Sequence, residues 1–220
     1  MTDTSVATAA DYADAMLVAR RAKSTLVLLL LLMLLIQLGL FFTARYSNFL
    51  AAPTVEAATQ PVDGTTLAAR HKAVDLIHYV TGASAFLGVV FSVMLAAVLY
   101  LLVKIMLVGR LIGVARVTSA YVWSLLLILL LFPWQTYLAD PTYHDANFML
   151  PGVLYTWSEV LQSARFETTN WNLAALKWTR FVAAPVLTVI LLMMIQIKSN
   201  RGLRQALGED DLSALTNPNA

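Results

Sequence analysis

The sequence predicts an all-α fold: a four-transmembrane-helix bundle with both termini cytoplasmic and an external cap containing one amphipathic interfacial helix. Three observations carry that prediction. The 220 residues are 59% hydrophobic and 13% charged, with a mean hydropathy of +0.71, whereas soluble domains hold roughly 45–50% apolar and about 25% charged residues. Four apolar segments approach the ~20 residues that a helix needs to cross hydrocarbon. Lys and Arg gather at one end of those segments.

Taken in order, residues 1–24 are a polar N-terminal segment in which Asp11 and Asp14 precede Arg20, Arg21 and Lys23. Ala10 to Lys23 is expected to form a short helix entering the membrane, with Tyr12, Met16 and Ala19 on one side. The first span, 25–42, is apolar apart from Gln37 and Gly39. It is longer than the core of a cleaved signal, about 7–15 residues, and no small-residue cleavage site comes directly after it, so it reads as a retained signal anchor. Residues 43–79 make the first external loop, where Pro53, Pro61 and Asp63-Gly64 break any periodicity and Thr65 or Thr66 is suited to cap the next helix.

Leu67 to Val103 reads as one long helix that starts outside the membrane and crosses it over residues 80–103. Lys104, Gly109, Arg110, Gly113 and Arg116 form a short basic connection, so the third span, 117–138, must return antiparallel. Pro133, which has no backbone N–H, should loosen its end, with Trp134 at headgroup depth. In the second external loop, 139–180, Val153, Trp157, Val160, Leu161 and Ala164 recur at helical spacing opposite Ser158, Glu159, Gln162 and Ser163. That pattern places a surface-lying helix near 152–166. The fourth span, 181–197, contains Pro185, which should kink it unless a neighbour satisfies the carbonyl left free. Lys177 and Arg180 are expected to snorkel to the headgroups. Residues 198–220 form a cytoplasmic tail carrying Lys198, Arg201 and Arg204, then Glu209-Asp210-Asp211.

Orientation comes from counting. Nine of the 15 Lys and Arg residues lie in the N-terminal segment, the short connection and the tail. The positive-inside rule puts those parts in the cytoplasm and the two long loops outside. All three histidines and four of the five tryptophans, Trp134, Trp157, Trp171 and Trp178, go with the external face. The expected setting is a multi-pass position in the plasma (inner) membrane.

Several chemistries are removed by absence. No cysteine is present, which excludes disulfide, thiolate and iron–sulfur chemistry. The net charge of +2 forms no continuous basic stripe, so nucleic acid is not an expected partner. The span centres lack ionisable residues, which speaks against proton relays and active ion transport. Phosphate loops, nucleophile elbows and HExxH are missing, and the Glu159/Glu167 pair has no supporting signature.

Two groups of residues remain. His71, Asp75 and His78 lie within about a 60° arc of one helix face; with His144 from the other loop they offer a metal-ligand set. Ser84, Gly88, Ser92 and Ala96 repeat every four residues, which permits close helix approach, and Gln37 should hydrogen-bond to a Ser or a backbone group on a neighbouring span. These residues support a non-enzymatic membrane accessory, scaffold or assembly subunit with no cofactor. Its partners would be the lipid bilayer and a membrane protein or a second copy of the chain. A metal-binding or electron-transfer subunit using the outer His/Asp set is the first alternative. A passive channel or transporter for a neutral or lipid-like molecule is the second.

Overall fold

The computed structural model describes residues 9–46, 64–134, 153–157, 160 and 171–209. These are helical almost throughout, with no strand among them. Helix α1 is Ala9–Tyr46, α2 is Gly64–Val108, α3 is Val114–Leu131, α4 is Trp171–Trp178 and α5 is Ala184–Ala206; a π-helical turn, Thr179–Ala183, joins the last two. Among the described residues four helical stretches are long and apolar enough to cross a membrane: Ala10–Tyr46, His71–Val108, Val114–Leu131 and Thr179–Ala206.

The helices outrun the spans expected from hydropathy. With 38 residues, α1 is roughly 57 Å long, and α2 with 45 residues is roughly 68 Å, against a hydrocarbon thickness of about 30 Å. The apolar windows mark where a helix can meet lipid, while hydrogen bonding continues past them. Helix α3 ends at Leu131, two residues before Pro133, which offers no N–H to the preceding turn; residues 135–138 of the expected span lie outside the described set. Gly113, with φ 93°, and Arg110, with φ 50°, turn the chain between α2 and α3.

The chain divides into two compact units. The first comprises residues 1–31, 91–129 and 189–220. Each helix contributes a seam of buried residues at spacings of three and four: Met16, Ala19, Lys23, Leu26 and Leu30 on α1; Leu95, Leu99, Leu102 and Met106 on α2; Val117, Ala120, Ser124 and Leu127 on α3; Leu192, Ile195, Ser199 and Leu203 on α5. That spacing is the seam of a left-handed helix bundle. Gly113 and Gly202 bring the α3 and α5 backbones together, since a methyl group at 202 would lie 2.7 Å from Val117 Cγ2 and 3.0 Å from the Gly113 carbonyl oxygen.

The second unit comprises residues 32–90 and 130–188. Its core joins Phe41, Ala44, Tyr155, Val160, Ala174 and Phe181. One part differs from the sequence expectation. Val153, Leu154 and Tyr155 are not helical and are not on the surface; all three are buried, with helix resuming only at Trp157. The helix there therefore begins later than residue 152, and residues 161–166 lie outside the described set.

Outside the seams, large apolar side chains face outward on every spanning helix, among them Leu28, Phe86, Leu101, Leu129 and Leu187. Lipid solvates such a surface, and water does not.

Candidate functional site

Among the described residues a polar site is built around Gln37, 1% exposed on the inner face of α1. Its Nε2 donates to Ser84 Oγ at 2.6 Å and to the Thr81 carbonyl at 3.3 Å, while its Oε1 accepts the Tyr155 backbone N–H at 3.1 Å. A carboxamide has two donors and an acceptor, and all three functions are engaged here. The arrangement answers a specific problem. The non-helical backbone at 153–155 has no helical partner for its N–H groups, and an unsatisfied one costs several kcal/mol in a dry apolar interior. Gln37 serves Tyr155, and the Leu130 carbonyl accepts the N–H of Val153 at 3.0 Å. Leu154 drops onto Gly88, where a methyl group would stand 3.2 Å from Leu154 Cδ1.

Tyr155 then supplies something in return. Pro185 cannot donate to the carbonyl four residues earlier, that of Phe181, and the Tyr155 hydroxyl donates to that oxygen instead. The preceding turn relaxes to π geometry, with the Ala184 N–H reaching the Thr179 carbonyl. The free carbonyl that Pro185 implies thus finds a neighbour from a segment that the sequence places at the surface.

Aromatic rings close the site. Phe41 stacks on Phe181 with centroids 5.0 Å apart and meets Trp178 edge-on at 6.1 Å; Tyr155 meets Phe181 edge-on at 5.2 Å. Such pairs contribute ~0.5–1.5 kcal/mol each beyond burial. Arg180, expected to reach the headgroups, turns inward: it is 5% exposed, with its guanidinium 5.9 Å from the Tyr155 ring centroid. The wide π turn directs two successive residues, Arg180 and Phe181, to the inner side.

The other sequence candidates fall elsewhere. Ser84, Gly88, Ser92 and Ala96 are all buried on one face of α2. His71, Asp75 and His78 are exposed on α2; the His78 ring lies 5.0 Å from Trp157 and 5.9 Å from Tyr79. Among the described residues no three His, Asp or Glu side chains come together as a metal site, while His144, Glu159 and Glu167 lie outside the described set. Trp134 is half-buried beside Phe132 at 4.8 Å and Trp157 is half-buried. Trp171 and Trp178 are exposed.

Sequence reasoning missed two residues. Tyr155 carried no signal beyond its aromatic ring. Lys23, counted with the cations at the helix ends, is fully buried and donates to Ser199 Oγ at 2.8 Å and to Asn200 Oδ1. Its signal was available: it occupies the same seam as Met16, Ala19, Leu26 and Leu30.

Fold and site together define an all-helical, multi-pass membrane protein. The chain matches no family model, no curated protein and no solved structure.

Proposed function

We propose that this protein is a non-enzymatic accessory or assembly subunit of a membrane complex, with both termini cytoplasmic, and that it works by contact through its external face. The observation that carries this reading is the use of the interior polar groups. Three buried polar side chains, Gln37, Tyr155 and Lys23, are bonded to the chain's own Ser84, Thr81, Phe181, Ser199 and Asn200. A Gln37 carboxamide engaged on both ends also gives little support to a solute path along it. On the outer side Tyr46, Tyr79 and Trp171 stand exposed, at 69%, 74% and 82%, and large rigid aromatic side chains of this kind anchor interfaces.

The test is the mass of the assembly extracted from native membranes in mild detergent, measured by native mass spectrometry. The expected result is a fixed complex heavier than one 24.2 kDa chain, lost when Trp171 and Trp178 are both replaced by Ala. A lone chain, with catalytic turnover or stoichiometric metal, overturns the reading. Because the chain has no cysteine, single cysteines introduced at Tyr46 and Gln205 report sidedness directly. A membrane-impermeant maleimide should label the first from outside and not the second.

A further inference from the structure

We propose that the groove between α3 and α5 in the first unit binds the phosphate of an anionic phospholipid, with Arg116, Lys198 and Arg201 as its cationic walls. The geometry starts from the two glycines. Gly113 and Gly202 allow the backbones to touch, and Arg116 Cβ comes within 3.3 Å of the position a methyl at 202 would take. That contact fixes the register of the two helices. One turn further along, Lys198 crosses from α5 to α3, donating to Ser119 Oγ at 3.1 Å with its ammonium 5.5 Å from the Trp123 ring centroid.

Helical spacing then assigns the walls. At 100° per residue, Arg116, Ser119 and Trp123 share an arc of about 60° on α3, and Lys198, Arg201 and Gln205 share a similar arc on α5. Both arcs lie beside the buried seams rather than on them: Arg116 and Arg201 are exposed, and Ser119, Trp123, Lys198 and Gln205 are half-buried. An ammonium has three donors, and Ser119 takes one of those on Lys198. Among the described residues no carboxylate pairs with Arg116, Lys198 or Arg201; Glu209 bridges Arg20 and Arg204 instead.

The occupant is a lipid because the groove continues along apolar surface. Leu126 on α3 and Ile190 and Met194 on α5 extend the two walls away from the charges, with Leu126 and Ile190 exposed and Met194 half-buried. Trp123 sits where charge gives way to hydrocarbon, the depth at which indole rings settle in bilayers. A phosphate held by the three cations would therefore leave its acyl chains on Leu126 and Ile190. Basic pockets between membrane helices hold anionic headgroups by this combination of charge and apolar continuation.

Native mass spectrometry of the full chain in non-ionic detergent tests this, titrating dioleoylphosphatidylglycerol, dioleoylphosphatidylcholine or inorganic phosphate. The phosphatidylglycerol adduct should form about 100-fold more readily than the phosphatidylcholine adduct. The triple variant Arg116→Gln, Lys198→Gln, Arg201→Gln should lose that preference, at roughly fivefold per cation removed. A control with the same charge loss, Arg21→Gln, Lys104→Gln, Arg110→Gln, should keep it. If the groove triple does not fold, the exposed Arg201→Gln alone carries the test, with an expected fivefold loss. Equal binding of the two lipids, equal loss in both triples, or displacement of the lipid by excess inorganic phosphate overturns the proposal.

Discussion

Replacing Tyr155 with Phe removes one oxygen and leaves the ring contacts with Phe41 and Phe181 in place. The lost bond is the one to the Phe181 carbonyl, whose usual donor four residues on is replaced by Pro185. A typical net hydrogen bond contributes ~0.5–1.5 kcal/mol, and a buried acceptor left without a partner costs ~1–3 kcal/mol. Tyr155→Phe is therefore expected to destabilise the protein by about 1–3 kcal/mol, measured by equilibrium unfolding in mixed micelles of increasing dodecyl sulfate fraction with the helical circular dichroism signal as readout. The partner substitution makes the test sharp. Pro185→Ala restores an N–H in the helix, so in that background the loss from Tyr155→Phe should shrink by more than the ~0.5 kcal/mol within which independent sites add. Strict additivity, or a loss below about 0.5 kcal/mol in the native background, refutes the account of Tyr155 as the substitute donor.

Three further expectations use the same assay. Gln37→Leu should cost about 1–3 kcal/mol because it strands the Tyr155 N–H, whereas Ser84→Ala should cost less than about 1 kcal/mol, since Gln37 Nε2 keeps the Thr81 carbonyl. Glycine-to-alanine changes should rank by the space each methyl meets. Gly202→Ala should lose roughly 1–3 kcal/mol by forcing α3 and α5 apart, Gly88→Ala should lose less because the Leu154 side chain can shift, and Gly82→Ala, with nothing within 4 Å, should gain about 0.5–1 kcal/mol. Lys23→Ala should cost roughly 2–5 kcal/mol through the cavity it leaves. Lys23→Met, which keeps the volume and removes a buried charge together with its hydrogen bonds, should stay within about 1–2 kcal/mol; a larger loss for Met than for Ala would contradict the packing argument.

The histidines of α2 show how much of a site spacing alone can place. His71, Asp75 and His78 do share a helix face, yet a helix face is only one wall. A metal site needs ligands from a second element; His144, the residue expected to supply one, lies outside the described set, and among the described residues His78 meets the Trp157 ring. The small-residue row of α2 shows a related limit. Its spacing announces close contact without naming the partner. At Gly88 that partner is Leu154 and at Ser84 it is Gln37, both from this chain.

The four apolar crossings were legible from composition and run length alone, because lipid leaves a single chain segment no way to satisfy its backbone except as a helix. A lone Gln in an apolar run likewise announces a cross-helix bond, and a Pro inside a span announces an unpartnered carbonyl. What could not be read was which groups answer them. Residues 153–160 have helical spacing in sequence, but Val153 to Tyr155 lie non-helical in the interior, a choice that stands only because Gln37 accepts the Tyr155 N–H, Leu130 accepts that of Val153 and Gly88 leaves room for Leu154. Arg180 and Lys23 look like headgroup cations by position; they are buried because a π turn in one case and a helix seam in the other point them inward. Periodicity and hydropathy are properties of a segment by itself and are written locally. Partner choice depends on residues 23 to 177 positions apart, and only the tertiary structure brings those together.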